Sequence, residues 1–159
     1  MTLIYPYLTY GILAWGNSSK ILNNRILILQ KRILRIIHNV HFRSHTDILF
    51  FNNKILKIED LYNWHLGIFM FQLSQNELPS PLIAIFTRNY QIHSYPTRQL
   101  YQYHSPLLRT SLAQKTIVFT GPKYWNAIDP SLKLIPRLSP FNKHLKQLIL
   151  ESYTYFLSP

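Results

Sequence analysis

Ser19-Lys20-Ile21-Leu22-Asn23-Asn24-Arg25-Ile26-Leu27-Ile28-Leu29-Gln30-Lys31-Arg32-Ile33-Leu34-Arg35-Ile36-Ile37-His38-Asn39 decides the fold class. At about 100° per residue, Leu22, Ile26, Leu29, Ile33, Ile36 and Ile37 fall on one helical face. Arg25, Lys31, Arg32 and Arg35 gather on the other side. Either Ser18 or Ser19 can cap the start, its hydroxyl accepting from free amides of the first turn. A long amphipathic helix must cover its apolar stripe, so the chain is expected to be mainly α.

The flanking segments extend that reading. Leu3 to Trp15 reads as a helix bent at Pro6 and stopped near Gly16-Asn17. Ser44-His45-Thr46-Asp47 has the spacing that precedes a helix, here a short one from about Asp47 to Asn52. A third long helix is expected from Ile58 to Gln75. Leu61, His65, Ile68, Phe69 and Gln72 line one side, and Tyr62, Leu66 and Leu73 widen the apolar surface, which predicts deep burial. Leu78-Pro79-Ser80-Pro81 breaks the pattern. The expected organisation is a helical region over 1–78, a linker over 79–91 and a small α+β region over 92–159. In the last, Thr116-Ile117-Val118-Phe119 is β-branched and aromatic, and a ribbon pairing it with Arg98 to Tyr103 is expected. Gly121-Pro122 should start a short helix. Ser139-Pro140 should start the final helix, with Phe141, Leu145, Leu148 and Ile149 as its buried stripe and Lys143 and Lys146 pointing away.

Charge narrows the function classes. The 159 residues carry 17 Lys and Arg against 6 Asp and Glu, a formal charge of +11. A net positive field attracts polyanions, and nucleic acid is the usual one. There is no cysteine, which excludes disulfides, thiolate zinc sites and thiol redox chemistry. An intracellular protein of nucleus or cytoplasm is expected. The apolar opening is too short to span a bilayer and lacks a basic leader, so no membrane partner is expected.

Catalytic chemistry finds few candidates. Glu59-Asp60 is the one adjacent acidic pair, placed where the first turn of a helix favours negative charge. His38, His41 and His45 have arginines nearby and no clustered carboxylate or thiol, so no metal site is expected. No G-x-S-x-G and no Gly-rich phosphate loop occurs. Binding chemistry has two candidates. Arg25, Lys31, Arg32 and Arg35 on one arc could track a phosphate backbone, or form a solvated face. His93, Tyr95, Thr97 and Arg98 combine ring, cation and hydroxyl, a mix suited to stacking and phosphate contact, or to a rigid packing turn.

Four spaced signatures occupy the second half: Tyr95-Pro96-Thr97-Arg98, Gln114-Lys115, Gly121-Pro122-Lys123-Tyr124-Trp125-Asn126 and Phe141-Asn142-Lys143-His144-Leu145-Lys146. The first half adds Tyr5-Pro6-Tyr7-Leu8-Thr9-Tyr10-Gly11, Trp15-Gly16, and Leu29-Gln30-Lys31-Arg32 with Arg35-Ile36-Ile37. In this order they resemble the region after the polymerase core in reverse transcriptases of non-LTR, LINE-type, jockey-like retrotransposons. The resemblance implies a helical thumb-like bundle over residues Leu3 to Gln75, gripping primer–template duplex, followed by a post-thumb lobe. It implies nucleic-acid partners, whether RNA–DNA hybrid, DNA duplex or RNA, and the palm and fingers of a parent RNA-directed DNA polymerase. That family uses Mg2+ held by an Asp-Asp pair, which this chain lacks. The chain itself is therefore expected to be a non-catalytic fragment, without a cofactor of its own. Met1 falls within an expected helix, which fits a fragment. A free-standing basic RNA-binding or scaffold protein, and an inert product of a decayed element, are the alternatives.

Overall fold

The computed structural model describes residues 4–93, 95 and 98–154. Among these the chain is mainly helical: α1 (Ile4–Thr9), α2 (Ile12–Trp15), α3 (Lys20–Ile37), α4 (Asp47–Asn52), α5 (Ile58–Ser74), α6 (Ser80–Ile83), α7 (Asn89–Ile92), α8 (Ile117–Ala127), α9 (Pro130–Lys133) and α10 (Leu138–Glu151). Two compact units form. The first joins the described parts of Met1–Trp64 and Asn142–Pro159, and the second is His65–Phe141. The expected break at Leu78-Pro79-Ser80-Pro81 falls inside the second unit.

In the first unit, Gly11 adopts a left-handed φ of 60° and divides the expected opening helix into α1 and α2. The Trp15 indole N–H donates to the Tyr10 carbonyl at 2.8 Å and closes over that break. Ser19 caps α3, its hydroxyl accepting from the Ile21 amide at 3.3 Å. The helix is rotated from the expected orientation. Its buried stripe is Asn23, Gln30 and Leu34, while Leu22, Leu29, Ile36 and Ile37 are exposed. Two amides explain the rotation. Asn23 Nδ2 donates to the Gly16 carbonyl at 2.9 Å. Gln30 Nε2 donates to the Leu56 carbonyl at 3.3 Å, and its Oε1 accepts from the Ile58 amide at 3.0 Å. The buried backbone at Gly16 and at the start of α5 needs those partners, so polar side chains point inward.

The start of α5 is tied to the residues after α10. The Tyr153 hydroxyl donates to Asp60 Oδ2 at 2.5 Å and accepts from the Lys57 amide at 3.1 Å. Lys57 Nζ pairs with Asp47 at 3.0 Å and lies 4.3 Å from the Tyr153 ring centroid. Burial pushes the Asp60 carboxyl above its usual range, against the opposing pull of the Tyr153 hydrogen bond and Lys57. The folded state holds the Asp60 proton more tightly than the unfolded chain, so this contribution is complete below about pH 4 and is lost as pH rises through the folded value. Urea unfolding of Asp60→Asn against the parent chain should show the difference changing in mildly acidic solution, with the variant lacking that pH dependence.

In the second unit, Thr116-Ile117-Val118-Phe119 is helical, where a strand was expected. Among the described residues, β pairing is limited to one antiparallel bridge, Arg88 with Tyr103. Tertiary packing overrides β propensity here. Thr116 is the extended cap residue, and the β-branched residues form the first turn of a helix that buries Gly121, Pro122 and Trp125. Gly121 lies so close to α5 that an added Cβ would stand 2.8 Å from Met70 Sδ. Pro122 sits inside the helix rather than at its start. Trp125 meets Phe71 edge-on at 6.5 Å, and Phe71 stacks on Phe141 at 4.5 Å. In α10 the expected stripe is half right. Phe141 and Leu145 are buried, but Leu148 is exposed and the last turn buries Leu150 instead.

Candidate nucleic-acid interface

The second sequence candidate lies in a cleft of about 500 Å³ within the second unit. Asn89, His93, Tyr95, Arg98, Gln99, Gln102, Tyr103, His104, Ser105 and Asn126 line it. Thr97 and Pro96 lie outside the described residues. The cleft is built from the backbone upward. Asn89 N–H donates to the Gln102 carbonyl at 3.0 Å and Tyr90 N–H to Leu100 at 3.1 Å, so α7 is held against residues 98–102. Asn126 at the end of α8 clamps both backbone groups of Tyr103. Its Oδ1 accepts from the Tyr103 amide at 3.2 Å, and its Nδ2 donates to the Tyr103 carbonyl at 2.8 Å. Arg88 donates to the Tyr101 carbonyl at 3.1 Å and lies 4.7 Å from the Tyr103 ring centroid. Burial pushes the Tyr103 phenol up, opposed by that guanidinium.

Among the described residues, the lining of the cleft is polar and carries no carboxylate. The His93 and Tyr95 rings sit 5.8 Å apart, tilted by 34°. Both residues and Arg98 are exposed. Stacking rings, a guanidinium and amide side chains in one concavity suit a nucleobase with its phosphate. Gln99, Gln102 and His104 were not singled out by sequence. Their signal was the neighbouring Gly-Pro-Lys-Tyr-Trp-Asn run, whose terminal Asn126 fixes the loop that carries them.

The arginine arc of α3 is brought together only in part. Arg25 and Arg32 are exposed, and Lys31 is half-buried. Arg35 turns to the following loop, where Nε and Nη2 donate to the Ser44 carbonyl at 3.2 and 3.1 Å. A separate groove of about 640 Å³ in the first unit is lined by Phe51, Lys54, Lys143, Lys146 and Leu150, among others. Lys143 and Lys146 therefore share a concavity that helix periodicity did not foretell.

The donor set does not fit the magnesium site of a polymerase. Asp60 is partly buried and bonded to Tyr153, and the adjacent Glu59 points to the exposed side of α5. Among the described residues, no three His, Cys, Asp or Glu side chains come together to hold a metal. His41 lies in a loop, where its Nδ1 accepts from the Arg43 amide at 3.3 Å. No described helix is long and apolar enough to cross a membrane.

Comparison with known protein families, curated proteins and solved structures finds no match to this chain.

Proposed function

We propose that this chain is a nucleic-acid-gripping region of a non-LTR-type RNA-directed DNA polymerase, doing no phosphoryl transfer itself. The cleft around Tyr95 and Arg98 takes an unpaired nucleotide. Its ring pair stacks the base, Arg98 meets the phosphate, and Gln99 and Gln102 face the base edge. The observation that carries this is the convergence of His93, Tyr95, Arg98 and two glutamines in one cleft without a carboxylate. The chain's charge supports it. With 17 basic and 6 acidic residues, one-to-one pairing would still leave 17 − 6 = 11 cations for an anionic partner. The order of the signature segments supports the polymerase family.

The test is fluorescence anisotropy with a short single-stranded RNA. Tyr95→Ala should weaken binding about tenfold through lost stacking. Arg98→Ala should weaken it and lower the slope of log K against log salt by about 1. Both side chains are exposed, so the fold should survive, and circular dichroism checks that. Unchanged affinity in both variants would refute the cleft.

A further inference from the structure

Opposite its buried stripe, α3 presents large aliphatic side chains to solvent: Ile28 is 63% exposed and Ile36 70%. Exposed Ile21, Leu22 and Leu29 belong to the same side. Their spacing is ordered. Ile21 and Ile28 form one row at a seven-residue interval, and Leu22, Leu29 and Ile36 form another. Arg25 and Arg32 form a third row, again seven apart, lying between the other two at about 100° per residue. Side chains recurring at seven-residue intervals keep each row on one stripe of the helix, as contact with a second helix requires. Solvent does not require it, and an exposed apolar patch of this order marks a contact surface.

The charge selects the occupant. The whole of α3 contains no Asp or Glu, so the central arginines have no acid on their own helix. We infer that this face docks a partner helix that carries carboxylates at seven-residue intervals between two apolar rows. This surface is independent of the nucleotide cleft. A nucleic-acid backbone would satisfy Arg25 and Arg32 but leave both aliphatic rows without apolar neighbours. A bilayer would bury the arginine row deepest, against the usual arrangement of an interfacial helix. A second copy of this chain would set arginine against arginine, which costs rather than stabilises. An acidic amphipathic helix satisfies all three rows. Successive carboxylates on it would stand about 10.5 Å apart, matching Arg25 to Arg32.

The test uses two synthetic helical peptides of about three heptads, alike except in their central row. Both carry Leu in the flanking rows; one carries Glu in the central row and the other Lys. The chain should bind the Glu peptide about tenfold tighter than the Lys peptide at low salt. The double variant Arg25→Glu with Arg32→Glu should reverse that preference, and Leu29→Asp should weaken both peptides. All three positions are exposed, and circular dichroism reports whether the helix persists. Equal affinity for both peptides, or a preference that the double variant fails to reverse, would overturn the inference. So would a concentration-dependent dimer in sedimentation that Leu29→Asp abolishes, since a second copy would then cover the face. Binding of a duplex DNA oligonucleotide that Leu29→Asp abolishes would equally overturn it, in favour of nucleic acid.

Discussion

Phe141→Ala is expected to lower the stability of the second unit by about 4 kcal/mol. Phe141 is fully buried, with 0% of its surface exposed. It stacks on Phe71 at 4.5 Å and lies 5.9 Å from the Trp125 ring. Truncation removes the transfer free energy of a whole ring and leaves a cavity between two other rings that cannot collapse into it. Domains of ordinary size are stable by only about 5–15 kcal/mol, so much of the margin disappears. Urea unfolding followed by Trp fluorescence measures this. A loss below about 1 kcal/mol would show that the aromatic cluster is not the core of this unit.

Gln30→Leu should cost the first unit about 2 kcal/mol, although the change is polar to apolar at a buried position. Gln30 is 9% exposed and serves two backbone groups at once, the Leu56 carbonyl and the Ile58 amide. Leucine fills similar space but leaves both groups buried without partners, and the desolvation penalty outweighs the gain in apolar area. Gln30→Glu supplies the discriminating comparison. It keeps an acceptor for the Ile58 amide and loses the donor to Leu56. Chemical denaturation should rank the parent above both variants. A leucine variant as stable as the parent would contradict the clamp.

The sequence legibility of this chain varies with the physics of each element. The α3 helix, its serine cap (Ser18 or Ser19 by sequence, Ser19 in the fold), the short α4 and the long α5 were readable, because periodicity and capping are local signals. The face that α3 buries was not. Counting aliphatic residues pointed to Leu22, Leu29 and Ile36, whereas Asn23 and Gln30 face inward to serve backbone groups at Gly16, Leu56 and Ile58. That demand comes from residues far along the chain, so no window over the helix contains it. The segment from Thr116 to Phe119 misled for a related reason. Its β-branched composition is real, but Gly121 against Met70 and Trp125 against Phe71 require a helix there.

The candidate site was partly legible. His93, Tyr95 and Arg98 stood out by residue type, and they do line one cleft. Gln99 and Gln102 were invisible, since glutamines in a loop carry no signal until Asn126 is seen holding Tyr103. Arg35 was grouped with Arg25 and Arg32 by helical angle, yet it is occupied by the Ser44 carbonyl. Several residues of the signature segments have structural duties. Gly121 permits close helix packing, Trp125 fills a core and Gln30 clamps a turn.

Nucleic-acid binding by this chain is the proposal on which the roles assigned to Tyr95 and Arg98 depend. The most direct measurement is the affinity of the whole chain for a short single-stranded RNA across a salt series, read by fluorescence anisotropy. Binding is expected at low salt, with log K falling linearly against log salt at a slope of about −2, as about three released counterions require. No binding at about 50 mM salt, or an affinity that does not change with salt, would contradict it.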